Sequence, residues 1–427
     1  MEKFLRWSAG PMVLALVLAA CQPSASASPG ESAAASMGED PAAVCAADEF
    51  GCVEIPAGEP IHIAMWGVLS GPDSDLGTDV LHGVEIAIDD RPTLLDHDVQ
   101  LTTEDGLCTP EGGATAAQKL ATDSTLVGLI GSVCSDETVG GIATITDAGL
   151  TTISPSNTRP ALTFPDRGPE YAGYLRTAHS DAFQGKAVAE FIYNELQLTT
   201  AATIHDGSAY AEALQQVFVD EFTALGGEIT IQEAVSKGQT DMVPVLTRVG
   251  ATNPDVLYYP IFTAEGGFIT AQARNAAGLE EAVLMGSDGL FSPTFITAAG
   301  PNAEGMYLSS PDFTAFGDEY QAFLDKHQAK YGTAVLQIFH AHAYDATNIL
   351  FDALEDVALV GDDGTVYVPK GALRERLYQT SDHQGLTGTL TCGEFGDCGA
   401  PVIAVYQVTA REVGPPVVWP PEAPIWP

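Results

Sequence analysis

The chain has 427 residues, 45% of them hydrophobic, which is enough to build two compact cores, so a chain disordered throughout is excluded. Its 17 lysine and arginine residues against 57 aspartate and glutamate residues give a formal charge of −40. Such a charge repels phosphate backbones, so we expect no nucleic-acid partner. A solvated acidic surface explains the charge, which by itself does not indicate a cationic substrate.

The first residues have the pattern of an export signal. Lys3 and Arg6 precede an apolar stretch at residues 11–20 that is too short for an ordinary membrane-spanning helix. The stretch ends in Leu-Ala-Ala directly before Cys21, which looks like a bacterial lipoprotein signal. We therefore predict a signal peptide at residues 1–20, with Cys21 lipidated and the protein anchored outside the cytoplasm. An uncleaved anchor with an incidental cysteine is the alternative, and it also places the bulk of the chain outside the cytoplasm.

The segment after Cys21 lacks the apolar residues that folding needs. Residues 22–38 are rich in serine, alanine, proline and glycine, so they cannot bury enough surface to fold. We predict a flexible tether at residues 21–59, with a small loop between Cys45 and Cys52. No later apolar run approaches membrane-spanning length.

Six cysteines remain if Cys21 carries lipid, an even number that suits an oxidising compartment. The sequence alone permits fifteen pairings. The spacing favours three short-range or structurally matched pairs, namely Cys45 with Cys52, Cys108 with Cys134, and Cys392 with Cys398. A zinc site is the alternative, but the spacings lack paired two-residue separations and no histidine cluster accompanies them, so we expect no metal.

From residue 60 onward, short apolar strands alternate with amphipathic helices, which is typical of parallel sheets with helices on both faces. The first predicted elements are strand 61–69, helix 78–90, strand 99–104, helix 111–122, strand 126–131, helix 137–148 and strand 151–154. After residues 174–177 follow helix 183–196, strand 201–205, helix 209–225, strand 228–233, helix 242–249, strand 256–259, helix 266–277, and strands 282–286 and 305–309.

Two further helices, 318–331 and 337–356, precede a Gly-rich segment and a terminal hairpin around Cys392 and Cys398. The pattern predicts an α/β fold with two doubly wound parallel-sheet lobes joined by a hinge. The predicted domains are residues 60–178 with 312–386 for the first lobe, 179–311 with 387–413 for the second, and an extended Pro-rich tail at 414–427.

The common catalytic motifs are missing from the sequence. It has no GxSxG elbow, no phosphate loop, no HExxH and no GxGxxG after a strand, so we expect no enzymatic activity and no cofactor. His340 and His342 stand two apart on a predicted helix, so they do not share a face and are interpreted as ordinary helix residues.

The turns at the carboxyl ends of the strands are the informative segments, because doubly wound sheets bind ligands there. After the strand at residues 126–131, Ser135 stands where a helix can start. A serine hydroxyl together with the free N–H groups of a helix N-terminus suits a carboxylate, although Ser135 could equally serve only as a helix cap.

Eight segments in order resemble the leucine/isoleucine/valine-binding protein family, which has the type I periplasmic binding fold. They are 67–77 (GVLSGPDSDLG), 104–108 (EDGLC), 131–137 (GSVCSDE), 153–163 (ISPSNTRPALT), 205–210 (HDGSAY), 255–267 (DVLYYPIFTAEGG), 272–278 (QARNAAG) and 285–289 (MGSDG). The resemblance covers roughly residues 60 to 410.

The resemblance implies an amino-acid site between the lobes. Ser135 would bind the α-carboxylate of the ligand, together with the Thr158 N–H. The Ser156 carbonyl and the Thr158 hydroxyl would hold the α-ammonium, and Tyr210 would face them from the second lobe.

Three positions depart from the family pattern. Asp288 stands where the family usually has a glutamate that faces the ammonium, and Phe262 where it commonly has tyrosine. Leu76 replaces an aromatic residue that packs on the ligand side chain. The resemblance therefore implies recognition of the amino-acid head group and leaves the side-chain preference open.

The function that this implies is an extracytoplasmic solute-binding lipoprotein that delivers a small amino acid, of branched-chain type or similar, to an ABC permease. The alternative is a ligand-sensing receptor of the same fold for amides, urea or aromatic acids, coupled to signalling. A hydrolase would need a nucleophile with its base, and no motif provides one.

Overall fold

The computed structural model describes residues 40–414, 416–421 and 423–427. The predicted signal peptide, Cys21 and most of the predicted tether lie outside these residues. Within the described residues, no helix is both long enough and apolar enough to cross a bilayer.

The elements alternate as the sequence pattern predicts. The strands are β1 (Cys52–Ile55), β2 (Ile61–Gly67), β3 (Thr93–Leu94), β4 (His97–Asp105), β5 (Leu126–Gly131), β6 (Thr152–Ser154), β7 (Tyr174–Arg176), β8 (Thr200–His205), β9 (Glu228–Ala234), β10 (Val256–Tyr259), β11 (Val283–Gly286), β12 (Tyr307–Pro311), β13 (Leu359–Val360), β14 (Val366–Pro369), β15 (His383–Gly385), β16 (Gly388–Leu390) and β17 (Ile403–Gln407). The helices are α1 (Pro41–Ala47), α2 (Ser74–Asp90), α3 (Pro110–Thr122), α4 (Ser135–Asp147), α5 (Asp181–Glu190), α6 (Ala209–Leu225), α7 (Val243–Gly250), α8 (Thr263–Ala273), α9 (Pro293–Ala299), α10 (Tyr320–Tyr331), α11 (His340–Val357), α12 (Lys370–Tyr378) and α13 (Ala410–Val413).

Two six-stranded sheets form the centres of two lobes. The first sheet has the order β3-β4-β2-β5-β6-β7, and the second has the order β17-β12-β11-β10-β8-β9. In each sheet five strands are parallel in the doubly wound order 2-1-3-4-5, and the sixth, β3 or β17, is antiparallel at an edge. The predicted fold class is therefore confirmed, and so is the duplication of the architecture.

The chain passes between the lobes more than once. After β7 it leaves the first sheet for the second, and after β12 it returns to pack α11 against α2 beside the first sheet. It crosses again to add β17 beside β12. The exact residue boundaries predicted for the lobes stay a prediction.

Part of the predicted tether is folded. Residues 41–47 form α1, and β1 pairs antiparallel with β14. Val53 and Ile55 are 4% and 3% exposed and belong to the main hydrophobic core. The prediction of a tether up to residue 59 is wrong for this part, because two alternate apolar side chains suffice to dock a four-residue strand on a partner that lies far away in sequence.

The helices that face the cleft between the lobes begin earlier than predicted. Helices α2, α4, α5 and α8 begin at Ser74, Ser135, Asp181 and Thr263, two to four residues before the predicted starts. Their first turns are polar and so lie outside the apolar periodicity, whereas polar and acidic residues are favourable at a helix N-terminus. The polar groups at the cleft therefore sit on helices.

The three favoured disulfides are present, joining Cys45 to Cys52, Cys108 to Cys134, and Cys392 to Cys398.

The terminal hairpin is formed by β15 and β16, before Cys392. The prediction placed it around the last cysteine pair, where the short cross-linked loop is too tight for two paired strands. In the Pro-rich tail, Trp426 forms an isolated antiparallel β-bridge with Val405 of β17, so the tail lies at the edge of the second sheet.

Asp79 on α2 fixes the start of α11. Its carboxylate is fully buried and accepts hydrogen bonds from the backbone N–H groups of Leu336, Gln337, Phe339 and His340, and it also contacts the His340 imidazole. Burial by itself would raise the pKa of Asp79, but His340 and the N–H groups lower it below its usual value. His340 thus has a structural role, as predicted for an ordinary helix residue.

Candidate functional site

The doubly wound order places the turns after two strands of each sheet at the switch point, where such sheets bind ligands. In the first lobe these are the turns after β2 and β5, which lead to Leu76 and Ser135. In the second lobe they are the turns after β8 and β10, which lead to Tyr210 and Phe262. Four of the seven predicted ligand contacts therefore lie at the switch points.

Ser135 is the first residue of α4, a helix of 13 residues. It is 2% exposed, and its hydroxyl has no hydrogen-bond partner among the described residues. The helix cap is the preceding Cys134, so Ser135 is not used as the cap. A buried hydroxyl beside the free N–H groups of a helix N-terminus is suited to an anion.

Ser156 and Thr158 follow β6, the neighbour of β5. The Ser156 hydroxyl donates to the Val133 carbonyl at 2.7 Å, which holds its turn against the one that carries Ser135. The Thr158 hydroxyl donates to the Asp181 carboxylate at 2.9 Å. Because this hydroxyl donates its only hydrogen, its lone pairs stay available to accept a hydrogen bond from an ammonium group.

Asp288 follows β11 in the second lobe and is 2% exposed. Its carboxylate accepts hydrogen bonds from the Tyr210 hydroxyl at 2.5 Å and from the Gln184 side-chain amide at 3.0 Å. His179 lies 3.9 Å away, and burial lowers the pKa of His179, so this imidazole is neutral and does not cancel the charge of Asp288.

Asp181 is a second buried carboxylate beside Asp288, and the sequence did not single it out. One of its oxygens binds the Thr158 hydroxyl, and the other has no partner among the described residues. Burial, with the nearby charge of Asp288, raises the pKa of Asp181 well above its usual value. Two carboxylates in one buried place favour a cation between or beside them, because each disfavours the ionised form of the other.

The two lobes touch at this site. Asp136, next to Ser135, accepts a hydrogen bond from the backbone N–H of Ala209, next to Tyr210, at 3.0 Å. Lys237 of the second lobe donates to the Cys108 carbonyl of the first at 2.8 Å. The structure thus has the lobes closed on each other, with the predicted contacts of both lobes buried between them.

Leu76 and Phe262 lie at one end of the site. Both are 5% exposed, and both line a narrow cavity between the lobes. Phe262 also packs on Tyr210, with ring centroids 5.1 Å apart. The structure therefore brings all seven predicted residues to one interlobe region, while their roles in binding stay a prediction.

Several polar residues at the site were not predicted. They are Asp73, Asp181, Gln184, Lys237, Glu265 and Gln337. Asp73, Asp181 and Glu265 follow strands β2, β7 and β10, so their position after a strand was a usable signal. Lys237 follows strand β9 by three residues and had the same signal. Gln337 stands on the segment before α11, far from any strand end, and nothing in its local sequence indicates the cleft. The described residues contain no group of three histidine, cysteine, aspartate or glutamate side chains placed to hold a metal ion.

Comparison with known proteins agrees with this arrangement. The family model for periplasmic binding proteins matches residues 60–409. The Leu/Ile/Val-binding protein of Escherichia coli strain K12 is 30% identical over 256 residues, which cover 59% of this chain and 68% of that protein. A Leu/Ile/Val-binding protein of Rhizobium johnstonii is 26% identical over 358 residues, which cover 83% of this chain and 93% of that protein.

Solved structures share the fold. A leucine-binding protein of Thermotoga maritima superposes with a TM-score of 0.73 at 24% identity, over 82% of this chain and 95% of that one. A solute-binding protein of an ABC transporter from R. palustris, solved with benzoate, superposes with a TM-score of 0.71 at 18% identity, over 82% and 93%. At these identities the likeness concerns the fold alone. The family model spans most of the chain, and the chain therefore belongs to the periplasmic binding protein family, whose members bind solutes and are not enzymes.

Proposed function

We propose that the chain is an extracytoplasmic solute-binding lipoprotein that captures a small amino acid between its lobes and delivers it to an ABC importer. The observation that carries the proposal is the separation of two complementary polar groups across the closed cleft. The proposed anion site is the start of α4, with its unpartnered Ser135 hydroxyl, and the proposed cation site is the buried pair of Asp181 and Asp288.

The anion site suits the α-carboxylate. The unpartnered Ser135 hydroxyl stands at the N-terminus of α4, where the helix dipole and the free N–H groups favour negative charge. The Thr158 N–H is the second proposed donor, from the adjoining turn after β6.

The acidic site suits the α-ammonium. Asp288 supplies negative charge, and an ammonium group bound beside it would favour the ionised form of Asp181 as well. The Thr158 hydroxyl is left as an acceptor because it donates to Asp181. Burying a zwitterion without pairing both charges costs several kcal/mol, so a cleft that offers both partners discriminates strongly for this head group. The ligand contacts both lobes and thereby stabilises the closed state.

The relatives support the same class of solute. The curated relatives described above are Leu/Ile/Val-binding proteins, whereas the benzoate-bound structure shares only the fold. The Lys3 to Cys21 pattern supports lipid attachment, which would keep the receptor beside a membrane permease.

The proposal is tested with a thermal-shift screen of the full chain in mild detergent, against amino acids, amides and aromatic carboxylates. We expect at least one L-amino acid to raise the unfolding temperature, and its D-enantiomer and its α-amide to have much less effect. Stabilisation by amides or aromatic acids, with no amino acid effective, would contradict the zwitterion scheme. Mass spectrometry of the N-terminal peptide from membranes checks the lipid on Cys21.

A further inference from the structure

The narrow cavity beside Leu76 and Phe262 is polar on its other walls. Its lining includes Asp73, Asp75, Leu76, Phe262, Thr294 and Gln337. The family resemblance implies that Leu76 packs on the side chain of the bound amino acid, and Phe262 lines the same cavity, so in the proposed function this cavity receives the end of that side chain. Two carboxylates and an amide at this end are unlike the wholly apolar lining that suits an aliphatic side chain.

Asp73 stands at the N-cap position of α2 but does not cap the helix. Its side chain makes no capping hydrogen bond, and one carboxylate oxygen is buried with no partner among the described residues. Aspartate at this position ordinarily accepts a hydrogen bond from the first turn of the helix. Here the Asp73 oxygen lies on the wall of the cavity and accepts no hydrogen bond from the described residues.

Gln337 provides a second unused acceptor on the same cavity. It is 5% exposed, and its side-chain oxygen has no hydrogen-bond partner among the described residues. Its backbone is fixed because its N–H donates to the buried Asp79 carboxylate at 3.0 Å. Buried acceptors of this kind are nearly always paired in folded proteins, so a donor is the matching occupant.

Among the described residues around the cavity, the four carboxyl groups of Asp73, Asp75, Asp206 and Glu265 accompany the single ammonium group of Lys237. Burial raises the pKa of Asp73, Lys237 lowers it, Glu265 and Asp206 raise it, and the Ala264 amide lowers it, which together give a pKa of about 6. Lys237 donates to the Cys108 carbonyl and lies 5.3 Å from the centre of the Phe262 ring. Asp75 accepts from the Thr294 hydroxyl, a neutral group.

We infer that the solute is an amino acid whose side chain ends in a nitrogen donor, an ammonium group in preference to an amide, that binds Asp73 and Gln337. This inference rests on the proposed function and replaces the expectation of a branched aliphatic side chain. A methyl group in the same place would leave the carboxylate and the amide oxygen unpaired, and binding sites reject such analogues strongly.

The test uses pairs of L-amino acids that differ only by a terminal ammonium or methyl group. Ornithine is compared with norleucine, and 2,4-diaminobutyrate with norvaline, by isothermal titration of the full chain in detergent at pH 7.5. We expect the cationic member of at least one pair to bind about tenfold to a hundredfold more tightly. Leucine, isoleucine and valine are titrated alongside.

The variant Asp73→Asn should reduce this preference to within about threefold, because a charge-assisted hydrogen bond becomes a neutral one. Exposed Asp98 gives the matched control, since Asp98→Asn removes the same charge from the first lobe away from the cleft. Gln337→Leu is the second variant, used if Asp73→Asn does not give a cooperative thermal transition.

The outcomes separate the inference from the proposed function. Equal or tighter binding of the methyl analogues or of leucine, or a preference that survives in the folded variant, overturns the inference and leaves amino-acid binding intact. Failure of every amino acid to bind overturns the proposed function, and the inference with it.

Discussion

Asp136 and Ala209 join the two lobes directly, through a hydrogen bond of 3.0 Å from the Ala209 N–H to the Asp136 carboxylate. Asp136 lies in the first turn of α4 and Ala209 is the first residue of α6, so one carboxylate stands between the N-termini of two facing helices. Since both helix ends favour negative charge, this contact stabilises the closed state.

Removing that contact should weaken ligand binding. For Asp136→Ala we expect a loss of about five- to thirtyfold in affinity, the equivalent of about 1–2 kcal/mol. Isothermal titration measures the affinity, and small-angle scattering measures the closed fraction. Asp220→Ala is the control, because Asp220 is exposed on the same α6 and, among the described residues, accepts a hydrogen bond from Gln216 alone. Unchanged affinity and unchanged closure would show that the bond contributes nothing to closing.

Asp288→Asn should remove most amino-acid binding and leave the fold intact. The asparagine fills the same space and still accepts from Tyr210, but it cannot neutralise an ammonium group, so we expect an affinity loss of about a hundredfold or more. Glu281→Gln, at an exposed position shortly before the same strand β11, is the matched control. An affinity equal to that of the parent would remove Asp288 from the site.

Asp79→Ala should strongly destabilise the protein. It leaves four backbone N–H groups and His340 without their acceptor, and breaking such a buried charged network costs about 3–5 kcal/mol. Denaturant unfolding measures the loss. On the same helix, Asp89 pairs with Lys330 at the surface, and Asp89→Ala should cost about 1 kcal/mol or less. Similar losses for the two variants would contradict the structural role of Asp79.

The disulfide between Cys108 and Cys134 closes a loop across the turns after β4 and β5. Replacing both cysteines with serine should lower the free energy of unfolding by about 3 kcal/mol, as expected for a separation of 26 residues. Ligand affinity should fall as well, because the cross-link holds the Cys108 backbone carbonyl, which accepts from Lys237, beside the turn that leads to Ser135. The same substitutions at Cys392 and Cys398, measured by the same two methods, should affect stability with a smaller effect on affinity.

Relative to the variants Glu137→Gln and Asp73→Asn, the free energy of unfolding of the parent should rise when the pH is lowered from 8 to about 5.5. Burial raises the pKa of Glu137 to about 7 and that of Asp73 to about 6. Between the unfolded pKa and these values the folded protein holds more protons than the unfolded chain, so stability is lost as the pH rises through this window. We expect the parent to gain about 2 kcal/mol over Glu137→Gln and about 1 kcal/mol over Asp73→Asn in urea unfolding. Burial lowers the pKa of His179 and His342, and these imidazoles oppose the gain in the parent and the variants alike, so the difference between parent and variant is what is measured.

High salt is the control for this pH dependence. Repulsion among exposed carboxylates is screened at 0.5 M salt, where the Debye length is only about 4 Å, whereas the desolvation of Glu137 is not. Glu137→Gln should flatten the dependence near pH 7. A dependence that vanishes in salt and is unaffected by this substitution would assign it to the surface charge alone.

The sequence predicted the regular elements well because their apolar periodicity is long and regular, as in β5 and α6, whose bounds agree with the prediction. It predicted the disulfides because short loops and matched strand ends limit the pairings. It missed the polar first turns of the cleft helices, and with them Asp181, because apolar periodicity carries no information about residues that face a cleft.

The sequence also could not predict the contacts between residues that lie far apart along the chain. Strand β1 has four residues, and its partner β14 lies more than three hundred residues further along the chain. Gln337 reaches the cavity only because Asp79 on α2 holds the segment before α11. Nothing local to either segment indicates such a partner, so both required the folded structure.

The pairing of β1 with β14 gives the two lobes unequal mechanical roles. A pull on residue 40 passes through the cross-link between Cys45 and Cys52 and along β1 into β14, which packs on α11 and α12 beside the first lobe. In a receptor held at its N-terminus, the first lobe is therefore the stationary half. We expect the second lobe to move relative to the first each time a solute enters or leaves.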